Sequence, residues 1–379
     1  MSKTVRERIE KSRVKLRYAV VGLGHIAQVA VLPAFAHAKR NSELVALVSG
    51  DKAKLRVLGK KYGVKTLWSY RDYAKCLACG AIDAVYIALP NHQHLEAVVA
   101  AARAGIHVLC EKPLAVTEAD CRAMISAAAA NRVRLMTAYR LHLDPATLQI
   151  MDWVRRGKIG DPSFMQAVLS MTVKDPKNIR RNARKLGGGP LFDLGVYCIN
   201  AARTFFRAEP EQVTAQMIPA SGRKNVIVEE TLTGLLRFPG QRLATFACST
   251  AAASLSEFTL AGDQGIIRLD GAFTYSKPRH LSLIQGEERR VKKQLLGKHD
   301  QFAAELLYFS DCVLQKHEAQ PSGWEGLADI RVIQALYRSA RTGRSQRLSP
   351  FKVPRRPQKK QGIHRPPVAQ VKIFHAKAP

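Results

Sequence analysis

The sequence predicts a two-part α/β chain: a doubly wound domain with a parallel sheet, then an α+β domain with a large, mostly antiparallel open sheet. Three observations carry this. Up to residue 140, short continuous apolar runs alternate with helical stretches of about a dozen residues, the pattern of βαβ units whose strands are buried on both faces. A glycine-rich turn follows the first of those runs. Beyond residue 160 the runs become alternating or β-branched, with FPG and GDQG turn signals between them, which points to an antiparallel or mixed sheet.

Taken in order, LRYAVV (16–21) reads as a strand and GLGHIAQVAVLPAFAHA as a helix. LVALV (44–48) is the second strand, a charged helix covers 51–62, and a short strand lies near Thr66–Leu67. Residues 70–78 are helical, DAVYIAL (83–89) is a strand, and HQHLEAVVAAARAG is a helix closed by Gly105. IHVLC is a strand, TEADCRAMISAAAAN a helix and VRLMTA a strand. In the second half come a helix over 145–157, the strand FMQAVLSMTV, a basic loop over 174–186 and a helix over 190–206. TLTGLLRF, RLATFACST, SEFTLAG, GIIRLD and HLSLIQ supply strands, and helices over 299–316 and 324–342 close the domain. The expected boundaries are a basic lead (1–15), a doubly wound domain (16–140), an α+β domain (141–345) and a tail (350–379).

Composition narrows the partners. The chain has 379 residues, 46% of them hydrophobic, enough for two cores. No apolar run approaches the ~18 residues of a membrane span, and the charged MSKTVRERIEKSRVK lacks the apolar centre of a secretory signal. A cytoplasmic protein without a membrane role is the expectation. Seven cysteines, mostly inside apolar segments, read as reduced and buried. Cys76 and Cys79 form C-x-x-C with no second pair at metal spacing, so no metal site is expected. The net charge is +30, and residues 351–379 hold eight Lys/Arg and no acid. That basic, Pro-rich stretch reads as disordered. No helix-turn-helix, zinc-finger or RRM pattern accompanies the charge, so nucleic acid is expected to meet at most weak contacts of the tail.

VVGLGHIA fits G-x-G-x-x-A through Gly22, Gly24 and Ala27, between a strand and a helix. Gly22 permits the turn, Gly24 admits a pyrophosphate to the backbone, and the helix N-terminus at His25 and Ile26 offers free N–H groups. This is the opening of a Rossmann domain, so the fold class is an N-terminal Rossmann domain plus the α+β domain above. At the end of the second strand, where an NAD site places Asp or Glu for the ribose hydroxyl, stand Ser49 and Gly50, followed by Lys52 and Lys54. A hydroxyl and an ammonium suit a 2′-phosphate, so NADP is favoured and NAD is the alternative. Asp51 works against this.

CEKPLA places Glu111, Lys112 and Pro113 at a strand's carboxyl end, where ligands of parallel sheets bind. The residues by themselves read equally as a Lys112–Glu111 surface pair. GGGPLFDLGVYCIN (187–200) puts Asp193 and Tyr197 four apart on one helix face. An acid and a phenol there can flank a small polar substrate; the alternative is a surface Asp with a half-buried Tyr.

GLGHIA, ALPNHQH, CEKPLA, YRLHLDP and GGGPLFDLGVYCIN, in this order, resemble the Gfo/Idh/MocA oxidoreductase family, nearest its glucose–fructose oxidoreductase branch, over about residues 16–344. The resemblance implies hydride transfer between NAD(P) and a sugar-like polyol or carbonyl, and a homo-oligomer assembled through the C-terminal sheet. It implies Lys112, Asp193 and Tyr197 as catalytic residues, with Ser49 and Lys54 on the NADP 2′-phosphate. Leu89, Asn91, His94 and Glu111 fall by the cofactor, and Arg140 and Arg180 by the substrate. A free tyrosine phenol titrates near 10, and an adjacent ammonium favours its phenolate. Tyr197 is then the acid/base, Lys112 its electrostatic partner and Asp193 a hydroxyl-orienting group. The alternatives are a sensor or scaffold without turnover and a dihydrodiol or xylose dehydrogenase activity. Ile179–Arg180 stands where the family often has Trp-Arg, inside the run Arg180, Arg181, Arg184 and Lys185, so the substrate wall departs from the pattern. With a short lead and no export signal, an exchangeable cofactor is expected.

Overall fold

A computed structural model describes residues 14–220, 228–286, 288, 290–353 and 356–376. All but Val14 and Lys15 of the basic lead lie outside these residues.

The first sheet is six-stranded and parallel: β1 Leu16–Val21, β2 Ser42–Val48, β3 Thr66–Trp68, β4 Ala84–Ile87, β5 His107–Glu111 and β6 Leu135–Ala138, in the order β3-β2-β1-β4-β5-β6. The order reverses between β1 and β4, which opens a crevice beyond their carboxyl ends. Both faces are covered, which explains the unbroken apolar runs: β4 is buried at every position. Helix α1 follows the glycine turn as a wide π turn, Ala27–Val31, that tightens over Leu32–Ala34. Helix α2 (Lys52–Tyr62) is capped by Asp51, whose side chain accepts from Lys54 N, and ends at Gly63 in the left-handed region. Helices α3 (Tyr73–Ala78), α4 (His94–Arg103) and α5 (Glu118–Ala130) complete the layers.

The second domain begins with α6 (Pro145–Arg155), capped by the buried Asp144. Its nine-stranded sheet contains β7 Pro162–Thr172, β8 Gln212–Pro219, β9 Glu229–Phe238, β10 Arg242–Ser249, β11 Ala251–Gly262, β12 Gly265–Asp270, β13 Arg279–Gln285, β14 Arg290–Leu296 and β15 Gln346–Arg347. Among these, β7 and β10 pair in parallel, and the other pairings are antiparallel. Helices α7 (Val196–Phe206) and α9 (Gly323–Thr342) lie on one face, and α8 (Gln301–Leu314) crosses to pack on the first domain beside α1. The opposite face alternates outward and stays open, exposing Phe164, Leu235 and Leu243.

The sequence reading omitted β8, β14 and β15. Strand β14, RVKKQLL, is an exposed edge rich in lysine, a composition that keeps edges soluble and hides them from apolar patterning. The expectation of a disordered tail is corrected. Its described residues lie against both domains: Ile363 N donates to Leu143 O (3.1 Å), Asp300 N to Arg365 O (3.0 Å) and Phe374 N to the Gln28 side chain (2.7 Å). Composition foresaw no core for this segment. It has none of its own and borrows partners from the body.

Candidate functional site

Two segments meet at the crevice. From the first domain, β5 ends in Glu111 and delivers Lys112, followed by a cis Lys112–Pro113 bond. From the second, a π turn over Leu191–Gly195 carries Asp193 and runs into α7, whose second residue is Tyr197. The glycine run before it answers to packing. A Cβ on Gly187 would meet Asn91 Cβ at 2.6 Å, on Gly188 Asn182 O at 1.9 Å, and on Gly189 the Glu229 carboxylate at 2.4 Å. Gly187 and Gly189 also hold positive φ, +77° and +98°. Asn91 Nδ2 donates to Gly187 O at 2.8 Å and ties this run to the loop after β4.

Lys112 Nζ donates to Asp193 Oδ1 at 3.0 Å and to Asp193 O at 2.9 Å, and sits 4.6 Å from the centre of the Tyr197 ring. Arg180 Nε donates to the other Asp193 oxygen. Burial by itself raises the Asp193 pKa, yet Arg180 and Lys112 hold the carboxyl well below its usual range. Burial works against the Lys112 ammonium, but Asp193, Tyr197 and Glu111 outweigh it and the pKa is raised. The surface-pair alternative for Lys112 therefore falls: its side chain is 11% exposed and its partner is Asp193.

The cofactor residues separate by position. Gly22 has φ +93°, and a Cβ there would strike Ala88 O at 2.5 Å. A Cβ on Gly24 would meet nothing within 4 Å, so open space lies over the turn where a pyrophosphate approaches. His25 and Ile26 stand half-buried beside it, with burial and then Arg180 lowering the His25 pKa. At the end of β2, Ser49 Oγ accepts from Asp51 N (3.2 Å), and Lys54 is half-buried one turn on. These groups fit a dinucleotide. Leu89 and Asn91 are half-buried at the end of the β4 loop.

Two expected site residues are held mainly by the protein itself. His94 does not open on the crevice: it is fully buried, with Nε2 2.9 Å from Leu89 O and Nδ1 3.1 Å from Pro113 O. It braces the β4 and β5 loops against each other. Arg140 is 4% exposed, donates to the Gln301 side chain and to Phe273 O (2.6 Å), and stacks between the Tyr197 and Tyr275 rings at 5.0 and 5.2 Å. Two of its donors are taken by protein, and it shapes the wall beside Tyr197. Three arginines of the basic loop are paired as well. Arg180 pairs with Asp193, Arg181 with Glu230 (3.0 Å) and Arg184 with Glu229 (3.4 Å).

Some residues of the region escaped the sequence reading. Phe273 and Tyr275 flank Tyr197 and Arg140 from the segment between β12 and β13. Glu305 on α8 is fully buried and neither carboxylate oxygen has a hydrogen-bond partner among the described residues. Burial, then the charge of Glu111, pushes its pKa well above the usual range. Tyr86 donates to Glu111 at 2.8 Å. The available signals were slight: one polar-tipped ring inside DAVYIAL and one carboxylate in the apolar stretch QFAAELLYF.

Comparison with known proteins agrees with this geometry. Residues 16–139 match the oxidoreductase family with an NAD-binding Rossmann fold, and residues 147–268 match the GFO/IDH/MocA C-terminal domain. An uncharacterised oxidoreductase of Rhizobium meliloti is 32% identical over 86% of this chain and 98% of its own length. D-xylose 1-dehydrogenase [NADP(+)] of Haloarcula marismortui is 30% identical over 88% of this chain and 93% of its own. The crystal structure of aldose-aldose oxidoreductase from Caulobacter crescentus, complexed with glycerol, superposes with a TM-score of 0.83 at 34% identity, over 88% of this chain and all of that one. With both domains matched in order and the two domains' polar groups converging at the Rossmann crevice, the chain belongs to the GFO/IDH/MocA oxidoreductase family.

Proposed function

We propose that this protein is an NADP-dependent oxidoreductase acting on a CH–OH or carbonyl carbon of a neutral sugar or sugar-like polyol. The observation that carries the reading is the meeting of Lys112 and Tyr197, one from each domain, with the amine 4.6 Å from the phenol ring. Both the D-xylose dehydrogenase and the aldose-aldose oxidoreductase named above act on sugars, and the former uses NADP(+). The bound nicotinamide supplies hydride exchange with the substrate carbon.

The chain's own residues do the rest. Tyr197 takes the hydroxyl proton during oxidation and returns it during reduction. Lys112, kept protonated, spends two donors on Asp193 and keeps the third N–H for the reacting oxygen or the phenol. Asp193, kept ionised, does not shuttle the proton; its spare lone pairs accept a neighbouring substrate hydroxyl and orient the ring. Arg181 and Arg184 each face a carboxylate of their own and Arg180 shares Asp193 with Lys112, so a neutral polyol meets this wall through its hydroxyls on Asp193. The protein assembles through the open sheet face that exposes Phe164, Leu235 and Leu243.

The test is a panel of aldoses, sugar acids and sugar phosphates assayed with NADP and with NAD. Turnover of a neutral aldose with NADP is expected. Turnover confined to the anionic sugars, or absent with every nucleotide and sugar, removes the reading.

A further inference from the structure

The end of the chain returns to the nucleotide crevice. After Ile363 and Arg365 pair with the second domain, Val368, Ala369 and Val371 line a cavity together with Leu32, Pro33 and Tyr62 of the first. Phe374 is then clamped by one side chain. Gln28, 1% exposed on α1, accepts from Phe374 N through Oε1 (2.7 Å) and donates from Nε2 to Phe374 O (2.8 Å). The same Nε2 donates to Leu23 O, inside the glycine turn, at 3.0 Å. Such two-sided pairing fixes the backbone as a β-ladder would. The next residue, His375, stacks on the Phe374 ring at 4.0 Å and brings Nδ1 to 3.1 Å from Asp51 Oδ2.

Asp51 stands directly after Ser49 and Gly50, at the end of β2, where a Rossmann site meets the adenosine ribose. It is the carboxylate that argues against a 2′-phosphate. Its Oδ1 accepts from Lys54 N at 3.0 Å, the cap of α2, and its Oδ2 faces the imidazole. A carboxylate offers no proton, so His375 Nδ1 is the donor in that contact. Asp51 is thereby engaged on both oxygens, and the other ring nitrogen of His375 has no partner among the described residues. The segment thus spans from the glycine turn to the ribose end of the crevice.

We propose that Phe374–His375 is part of the nucleotide site and that His375 is a specificity-determining residue. As an imidazolium it masks the Asp51 carboxylate with one N–H and presents the other N–H to an incoming 2′-phosphate, so a cofactor choice that β2 alone leaves balanced is tipped by His375. This rests on the NADP reading above. Gln28 serves as the positioning residue that seats the segment.

The test measures dissociation constants for NADP and NAD by calorimetry on the full chain, on His375→Ala and on a chain lacking residues 374–379, with melting of the nucleotide-free proteins as the control for folding. His375→Ala is expected to weaken NADP about tenfold, the size of one charge-assisted hydrogen bond, with NAD changed less than about twofold. The deletion should reproduce the loss. If the full chain binds NADP and both variants keep the same NADP-to-NAD ratio, His375 plays no part in selection and the inference is overturned. A deletion that tightens both nucleotides overturns it too, because the segment would then shield the crevice. A full chain that binds neither nucleotide removes the NADP reading itself, which separates the two failures.

Discussion

Lys112 is a three-donor ammonium with two donors committed to one residue of the other domain. That makes it a test of the chemistry at the residue scale. Replacing Lys112 by Met keeps the bulk and removes every donor, and replacing Tyr197 by Phe removes the proton carrier. Each is expected to lower kcat by roughly 10²–10⁴, the usual weight of general acid–base groups, while nucleotide affinity stays within a few-fold. Stopped-flow turnover together with nucleotide titration checks this; a variant that turns over normally sinks the assignment. Glu305 supplies a second test. Its folded pKa is raised, so between the unfolded value of about 4.3 and the folded one the native state binds more protons than the unfolded state, and stability falls as pH rises. Glu305→Gln should remove its share of that fall: its melting temperature should exceed the parent's at pH 8 and lose the advantage near pH 4.5. An unchanged difference between the two pH values would show that the carboxylate is hydrated and ionised.

At the scale of elements, α7 must hold Tyr197 against the crevice, and its far end is locked by charge. Arg203 has no exposed surface and donates to Glu209 (2.6 Å), Glu325 (2.8 Å) and Asp329 (2.5 Å), joining α7 to α9. Asn200, one turn back, donates to Glu325 and Asp329 at 3.0 and 2.9 Å and accepts the His142 contact at 2.7 Å. Arg203→Leu would leave Asp329 buried without its cation, and Glu209 and Glu325 with Arg356 alone. A loss of about 3–5 kcal/mol is expected by chemical denaturation, the range for breaking a buried ion pair from one side. A loss under about 1 kcal/mol, the level of an exposed pair, would mean that water reaches the cluster. The apolar periodicity of α7 and α9 was plain in the sequence. The lock was not, because Arg203 and its partners are distant along the chain and their burial follows from helix packing.

Across the whole molecule, the second sheet is covered on one side only. Register places Leu243 opposite Phe164 on one neighbour and Arg237 on the other, with Leu235 two positions on along the same face, so exposed apolar groups cluster on the open face. Leu243→Glu is expected to shift light-scattering mass from an oligomer to the monomer without changing the melting of the monomer fold. A parent chain that is already monomeric at working concentration would remove the proposed interface. The chain's final segment also belongs to this scale, since it passes from Leu143 in the second domain to Gln28 in the first.

The sequence by itself determined the strand and helix order of the first domain, the glycine turn, and the ends of strands from which Ser49 and Lys112 project. Those features are local: burial on both faces demands unbroken apolar runs, and a tight turn under a helix demands glycine at Gly22. It also marked Asp193 and Tyr197 as a pair, because four-residue spacing fixes a shared helix face. Only the tertiary structure decided which cation meets which anion. It turned Lys112 and Arg180 onto Asp193, drew Arg140 and His94 out of solvent into bracing roles, and carried His375 back to Asp51. Composition describes how a segment behaves alone, whereas burial and pairing depend on distant residues whose approach no short stretch encodes.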